Sequence, residues 1–277
     1  MPGIKKNNAP IIPYIVLAAI AIISVFPFVW TFIGTTHTNT EVFKIDMAFI
    51  PGSNIFENYK GLMGFSNIWR NLGNSIFISL MTTVIVLAID SMAGYAFGKF
   101  NFKGKNLLFF ICLMTMFIPF QVTQIPLFIQ MGNMGLAGSR WAVILPTGAA
   151  MFGVFLMKQN LETYPDEILE AGRIDGAGEF RTFLQLVMPT MRPALASLGI
   201  VTFVNQWGNY LWPLIILKDR ESSPLPLILA MMVAPGQVVN YGSILLGASI
   251  SILPVLIFFL IFQKQFISGM LGGAVKG

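Results

Sequence analysis

Long apolar runs separated by short polar stretches organise this sequence. Six of them stand out: Ile11–Ile33, Asn74–Phe97, Leu107–Gln130, Trp141–Met157, Ala194–Ile216 and Tyr241–Phe262. About 20 apolar residues in a helix cross a hydrocarbon core of about 30 Å. A lipid-facing backbone must satisfy its own hydrogen bonds, so each run predicts a helix. The expected fold class is therefore an all-α integral membrane protein with six transmembrane helices. The first run is too long for the apolar region of a cleaved signal and lacks a small-residue cleavage site, so it reads as a retained span. Pro146 interrupts the fourth run, the shortest, and Pro119 and Pro126 interrupt the third. A proline removes a backbone donor that neighbours or water must compensate. Packed kinks and functional breaks fit these three positions equally.

Composition agrees with the periodicity. Apolar residues make up 55% of the 277 and charged residues 10%, against about 25% charged in soluble domains. Mean hydropathy is +0.74. The net charge of +5 sits between apolar runs rather than in one stripe, which argues against nucleic acid and for membrane orientation. Six spans put both termini on one side. With the N-terminus inside, eleven of the 17 basic residues face the cytoplasm (Lys5, Lys6, Lys99, Lys103, Lys105, Lys158, Arg173, Arg181, Arg192, Lys264, Lys276). The outer segments hold the remaining six: Lys44, Lys60, Arg70, Arg140, Lys218 and Arg220. This favours an N-in, C-in topology. Cys112 lies in an apolar run and has no partner for an internal disulfide. His37 reads as a solvated surface histidine, because no second His or Cys cluster supports a metal.

The chain divides into residues 1–70, the first span with an outer loop, and residues 71–277, a core with a cytoplasmic loop at 158–193. Thr35–Arg70 and Lys218–Asn240 are the outer loops, the second carrying three prolines. The cytoplasmic loop is the most informative stretch. Thr163 suits an N-cap, Pro165 a first turn, and Asp166 and Glu167 the positive end of a helix dipole. A helix is expected over Tyr164–Ile174, stopped by Asp175-Gly176. A second is expected over Glu179–Met188, before Pro189 and Pro193 break the chain. Its apolar positions (Ile168, Leu169, Ile174, Phe180, Phe183, Leu184, Leu186) exceed one buried face. Arg173 pairs with Glu170 at i+3 for about 0.2–0.5 kcal/mol, too little to account for the acidic cluster. From pattern alone, a solvated amphipathic loop and a docking element fit equally.

Glu170-Ala171-Gly172-Arg173-Ile174-Asp175-Gly176, nine residues, then Leu186-Val187-Met188-Pro189 resembles the EAA motif of permease subunits of ATP-binding-cassette importers, with matching spacing. Asp175-Gly176-Ala177 resembles the extended form in carbohydrate-type, MalG-like permeases. Ala93–Phe97 with Phe102–Lys105, Tyr210–Leu214 and the closing Gly272–Gly277 are similar to further segments of that family. Gly172 departs from its second alanine, at about 0.8–1.0 kcal/mol of helix propensity. Leu186 and Met188 replace isoleucine and leucine. Trp207-Gly208-Asn209 stands where the family has Trp-Asn-acid, so no role transfers to that acid.

The resemblance implies a type I importer permease (MetI-like) fold in a bacterial or archaeal cell membrane. It implies that Glu170, Ala171, Gly172, Asp175, Gly176 and Ala177 couple to a cytoplasmic ATPase, with Ala171 and Gly172 allowing close approach. The implied partners are a second, MalF-like permease subunit, two ATPase subunits and an extracytoplasmic solute-binding protein that meets the outer loops. Hydrolysis belongs to the ATPase. No GxxxxGK[ST] loop occurs here, so ATP and Mg²⁺ are expected on the partner and no cofactor or metal on this chain. The cargo implied is a sugar or oligosaccharide, with a polyol or sugar phosphate as the alternative.

Thr202, Asn205, Asn209 and Trp212 recur at spacings of 3, 4 and 3, one helical face. Polar groups facing lipid are costly, so this stripe is expected to face protein or a water-filled substrate path. Gln121 and Gln124 offer a second polar face. Interhelical hydrogen bonding explains both sets equally well. Asp90 is the lone carboxylate inside a span; Lys99 or another helix would satisfy it, whereas a proton-coupled secondary transporter would use it. Such a transporter would be expected to show more spans and ionisable relays. A membrane enzyme would need convergent catalytic side chains, and none is visible.

Overall fold

The computed structural model describes residues 11–44 and 50–274, with side chains as far as Lys264. Lys5, Lys6, Lys276 and the closing Val275–Gly277, used above for orientation and resemblance, lie outside the described residues. Every regular element among them is helical. The helices are α1 Ile11–Gly34, α2 Ile55–Phe65, α3 Ile68–Lys99, α4 Lys105–Met114, α5 Phe120–Asn133, α6 Arg140–Ile144 and α7 Met151–Glu162. They continue with α8 Asp166–Ile174, α9 Glu179–Thr182, α10 Met188–Thr190, α11 Arg192–Trp207, α12 Leu211–Ile216, α13 Leu225–Met232 and α14 Tyr241–Ala274.

Two compact units divide the chain: residues 1–65 with 235–250, and residues 66–234 with 251–277. In the first, Asn58 joins three segments. Its buried side-chain amide donates to the carbonyls of Thr35 (2.9 Å) and His37 (2.8 Å), and its backbone carbonyl accepts from Ser243 Oγ (2.9 Å). His37 is not the solvated histidine expected from its polar neighbours. It is 9% exposed, with Nδ1 3.0 Å from the Ile33 carbonyl. The chain doubles back at the end of α1 and encloses it. Nearby, the Thr38 backbone N–H donates to Glu41 (2.9 Å) and holds that carboxyl below its ordinary pKa.

In the second unit α3 packs against α7 and α11. Gly94 and Gly98, four apart on α3, permit the approach. A methyl group at Gly94 would lie 2.5 Å from Met157 Cβ, and one at Gly98 3.1 Å from Leu161 Cβ. Small residues at this spacing bring helix backbones together where lipid removes the hydrophobic drive. Gly94→Leu therefore overpacks this contact at a cost of about 1–3 kcal/mol. A lowered melting temperature and reduced yield in mild detergent are expected; unchanged values would show that α3 and α7 separate freely.

Three helices are long and apolar enough to cross a membrane alone, and three bent helix pairs bring the number to as many as six among the described residues. The apolar runs located these segments but not their breaks. The second is longer than Asn74–Phe97, running as α3 from Ile68 to Lys99. The third turns by 100° at Ile118-Pro119, whereas Pro126 stays inside α5. The fourth bends by 43° at Gly148–Ala150 and continues to Glu162. The run Ala194–Ile216 is not one helix, since α11 ends at Trp207 and α12 begins at Leu211.

The stretch Lys218–Asn240 is more structured than its prolines suggest. α13 buries Leu225, Leu227, Ile228 and Met232. Asn71 and Asn74 of α3 donate to the carbonyls of Arg220 (2.6 Å) and Glu221 (2.7 Å), and Ser75 Oγ accepts from the Leu225 N–H. The buried carboxamides take the place of water for backbone that no helix satisfies.

Candidate functional site: a polar cavity and a surface loop

A cavity of about 610 Å³ opens in the second unit between α3, α7 and α11. Its polar lining consists of Thr82, Thr147, Thr202, Asn205, Gln206 and Asn209; Val86, Phe120, Phe152 and Leu198 are among its apolar walls. No charged side chain among the described residues lines it. The 3.6-residue period places Thr202, Asn205 and Gln206 together, and the chain break after Trp207 leaves Asn209 at the same wall. Thr82 Oγ1 and Gln206 Nε2 are buried without a hydrogen-bond partner.

Three of the expected stripe residues therefore line one space, and the fourth does not. Trp212 is fully buried on α12; its Nε1 donates to the Ala142 carbonyl (3.0 Å) and its ring meets Phe120 edge-on. The interruption at Gly208–Tyr210 shifts its register, so counting one helix across it fails. Gln121 is exposed, and Gln124 is buried with Nε2 unpartnered; neither lines the cavity. Thr82 and Gln206 were missed. Gln206 follows Thr202 by four residues, so the same periodicity could have found it. Only packing brings Thr82 to α11.

Asp90 is fully buried, and both its oxygens accept from the Ala150 N–H (3.2 and 3.3 Å). It thus serves the exposed start of α7, where the fourth segment breaks and a helix N-terminus favours an anion. A methyl group at Gly153 would collide with its carboxylate. Lys99 instead bonds Asp166 (2.7 Å) and the Tyr164 carbonyl (2.5 Å) at the foot of the loop 158–193.

The loop folds as two short helices. α8 begins after Pro165 rather than at a Thr163 cap, because Thr163 Oγ1 turns back to the Asn160 carbonyl (3.0 Å). It ends in paired bonds from Gly176 N–H to the Arg173 carbonyl and Ala177 N–H to the Gly172 carbonyl, with Gly176 at φ +78°. This is a Schellman closure, which needs a residue comfortable in the left-handed region. The second helix does not stop before Pro189. A π turn over Phe183–Val187 delivers the Met188 N–H to the Phe183 carbonyl, and the helix ends at Thr190. The wider turn accommodates a proline that lacks its own donor. The chain then bends by 83° into α11.

Arg173 does not pair back to Glu170. Its Nε bonds Glu179 (2.8 Å), which also accepts from Tyr95 OH (3.3 Å), and that hydrogen bond raises the Arg173 pKa further. Gly172 packs against the second loop helix, since a methyl there would lie 2.8 Å from Leu186 Cδ1. Glu170, Ala171, Asp175 and Gly176 are exposed, and Ala177 is half-buried. Ile174 and Phe180 are 86% and 65% exposed, while Leu169 and Phe183 belong to the core. The loop is thus anchored from within and presents acid and apolar groups outward.

A helical membrane protein with an uncharged polar cavity and an ordered, outward-presenting loop has the features of a transport permease. The chain belongs to the family of binding-protein-dependent transport system inner membrane components, whose model matches residues 90–271. It is an inner-membrane permease subunit of an ABC importer, not a catalytic subunit, and works with an ATPase and a binding protein. It is 33% identical over 98% of both chains to the lactose transport system permease protein LacG of Rhizobium radiobacter. Its identity to the arabinooligosaccharides permease AraQ of Halalkalibacterium halodurans is 35%, covering 99% of this chain and 100% of that one. The sn-glycerol-3-phosphate permease UgpE of Pectobacterium atrosepticum is 30% identical over 96% of this chain and 97% of its own. A chain of a bacterial ABC transporter involved in import of the acidic polysaccharide alginate shares the fold, with a TM-score of 0.81 at 22% identity, covering 96% of this chain and 100% of that one.

Proposed function

We propose that this subunit carries an uncharged sugar or oligosaccharide into the cytoplasm through the cavity between α3, α7 and α11. The observation that carries this is a set of hydroxyls and carboxamides among apolar walls, with no charged side chain in the lining among the described residues. Such groups exchange hydrogen bonds with sugar hydroxyls, whereas a phosphate ester calls for Arg, Lys or a helix N-terminus. The lactose and arabinooligosaccharide relatives support this reading. The glycerol-phosphate relative favours a second one, in which a partner subunit supplies the cations.

In this proposal the chain crosses the membrane six times, N-in and C-in, beside a MalF-like subunit. Each of two ATPase subunits binds ATP and Mg²⁺, and one receives the loop through Glu170, Ala171, Asp175, Gly176 and Ala177. Gly172 holds the two loop helices together from inside. The outer segments around residues 35–70 and 218–240 meet the loaded binding protein. This chain needs no cofactor of its own.

A thermal-shift screen of the cognate binding protein against neutral saccharides, polyols and sugar phosphates identifies the cargo. With that cargo, Asn205→Ala is expected to lower uptake into energised vesicles by about tenfold, the effect of about 1.4 kcal/mol. Stabilisation of the binding protein by sugar phosphates alone would favour the second reading. Full uptake by Asn205→Ala would remove this cavity from the path.

A further inference from the structure

A second recess, of about 390 Å³, lies away from the polar cavity, between α3, α11 and the part of α14 beyond Ile250. Its walls include Val84, Leu87, Leu195, Gly199, Phe258 and Phe262. Gly199 leaves open space at its floor, where an added methyl would make an ordinary contact with Leu87 Cδ1 at 3.6 Å. Arg192 lines the same recess and begins α11, at the 83° corner between the loop and the span. Among the described residues Arg192 pairs with no carboxylate.

We infer that this recess binds the acyl chain of an anionic phospholipid from the cytoplasmic leaflet, with Arg192 holding the headgroup phosphate. The orientation rests on the proposed function, which puts the loop and therefore Arg192 on the cytoplasmic side. The lining residues 192–199 of α11 rise about 10 Å along the helix from the corner. That is about two-thirds of one leaflet of a core of about 30 Å, a depth an acyl chain fills from the surface. The wall accepts methylenes, while the rim offers an unpaired guanidinium where phosphate oxygens lie. Basic pockets between transmembrane helices on the cytoplasmic side select anionic headgroups in this way. A zwitterionic lipid matches the wall equally but brings its own cation to the rim. An apolar helix of another subunit would fill the wall and leave Arg192 unpaired. A lipid held at this corner would brace the joint through which loop movement reaches α11.

The test uses the assembled importer, extracted in mild detergent and analysed by native mass spectrometry after equilibration with phosphatidylglycerol or phosphatidylcholine. Wild type is expected to retain phosphatidylglycerol in preference to phosphatidylcholine. Arg192→Gln is expected to weaken that retention about five-fold, the contribution of one basic residue near an anionic surface. Ala196→Phe, which fills the recess, is expected to reduce retention of both lipids. Equal retention of the two lipids by wild type, unchanged phosphatidylglycerol binding by Arg192→Gln, or cross-linking of a partner subunit to position 196 would each overturn the inference. Uptake measured on the same preparation separates the two questions. Uptake without selective lipid retention removes the lipid site and leaves the transport function standing; selective retention without ATP-driven uptake does the reverse.

Discussion

Glu170→Lys is expected to bring ATP-driven uptake down to background while the subunit still inserts and folds. The substitution changes an exposed carboxylate that forms no ion pair among the described residues. The acids and bases that hold the loop together lie elsewhere, in Arg173–Glu179 and Lys99–Asp166. Reversing Glu170 therefore spares the internal framework of α8 and alters what the loop shows to an ATPase. Leaving a charge unpaired at a desolvated contact costs about 2–5 kcal/mol, more than tenfold in association. Melting temperature in detergent should match wild type, and the ATPase should fail to co-purify. Intact uptake with this variant would show that α8 does not transmit the work of ATP hydrolysis. Gly172→Leu offers a contrast. It drives a side chain into Leu186 and Thr182, so it should lower stability as well as uptake.

The other large effect is expected at Asp90. Asp90→Leu removes the acceptor for the Ala150 N–H at the start of α7, where a hydrogen bond to a carboxylate contributes about 1.5–3 kcal/mol. A clear drop in melting temperature and in folded yield should follow. Asp90→Asn keeps an acceptor oxygen at nearly the same place and should retain most of the stability. It should also retain uptake, because the carboxylate lies outside the lining of the polar cavity and serves the start of α7. Loss of uptake in Asp90→Asn at wild-type stability would instead assign the carboxylate a proton-carrying role and reopen a proton-coupled mechanism. The comparison separates hydrogen-bond capacity from charge at one position.

These two residues show where sequence reasoning succeeds and where it stops. The loop was legible because its information is local. Glycine at Gly176 ends α8 by conformational freedom, and the spacing from Glu170 to Pro189 lies within one continuous stretch. The partner of Arg173 was not legible, since Glu170 and Glu179 both lie within side-chain reach and the turn at Gly176 decides between them. Asp90 could be recognised as an anomaly in an apolar run, but its partner lies 60 residues away. Trp212 shows the same limit from the other side. It keeps period with Asn209 in number, yet the break at Gly208–Tyr210 rotates it into a core with Ile78, Val143 and Ile216.

The sequence by itself determined that this chain is a helical membrane protein, roughly where its apolar segments run, and that residues 158–193 carry a motif spacing of importer-permease type. Hydropathy, caps and motif spacing are local quantities and survive without three-dimensional context. Only the tertiary structure decided which segments break, which way Gly172 faces and which polar residues share a cavity. Each of those depends on contacts between distant segments. A buried donor or acceptor, or a close helix approach, is satisfied by whatever the fold brings alongside it.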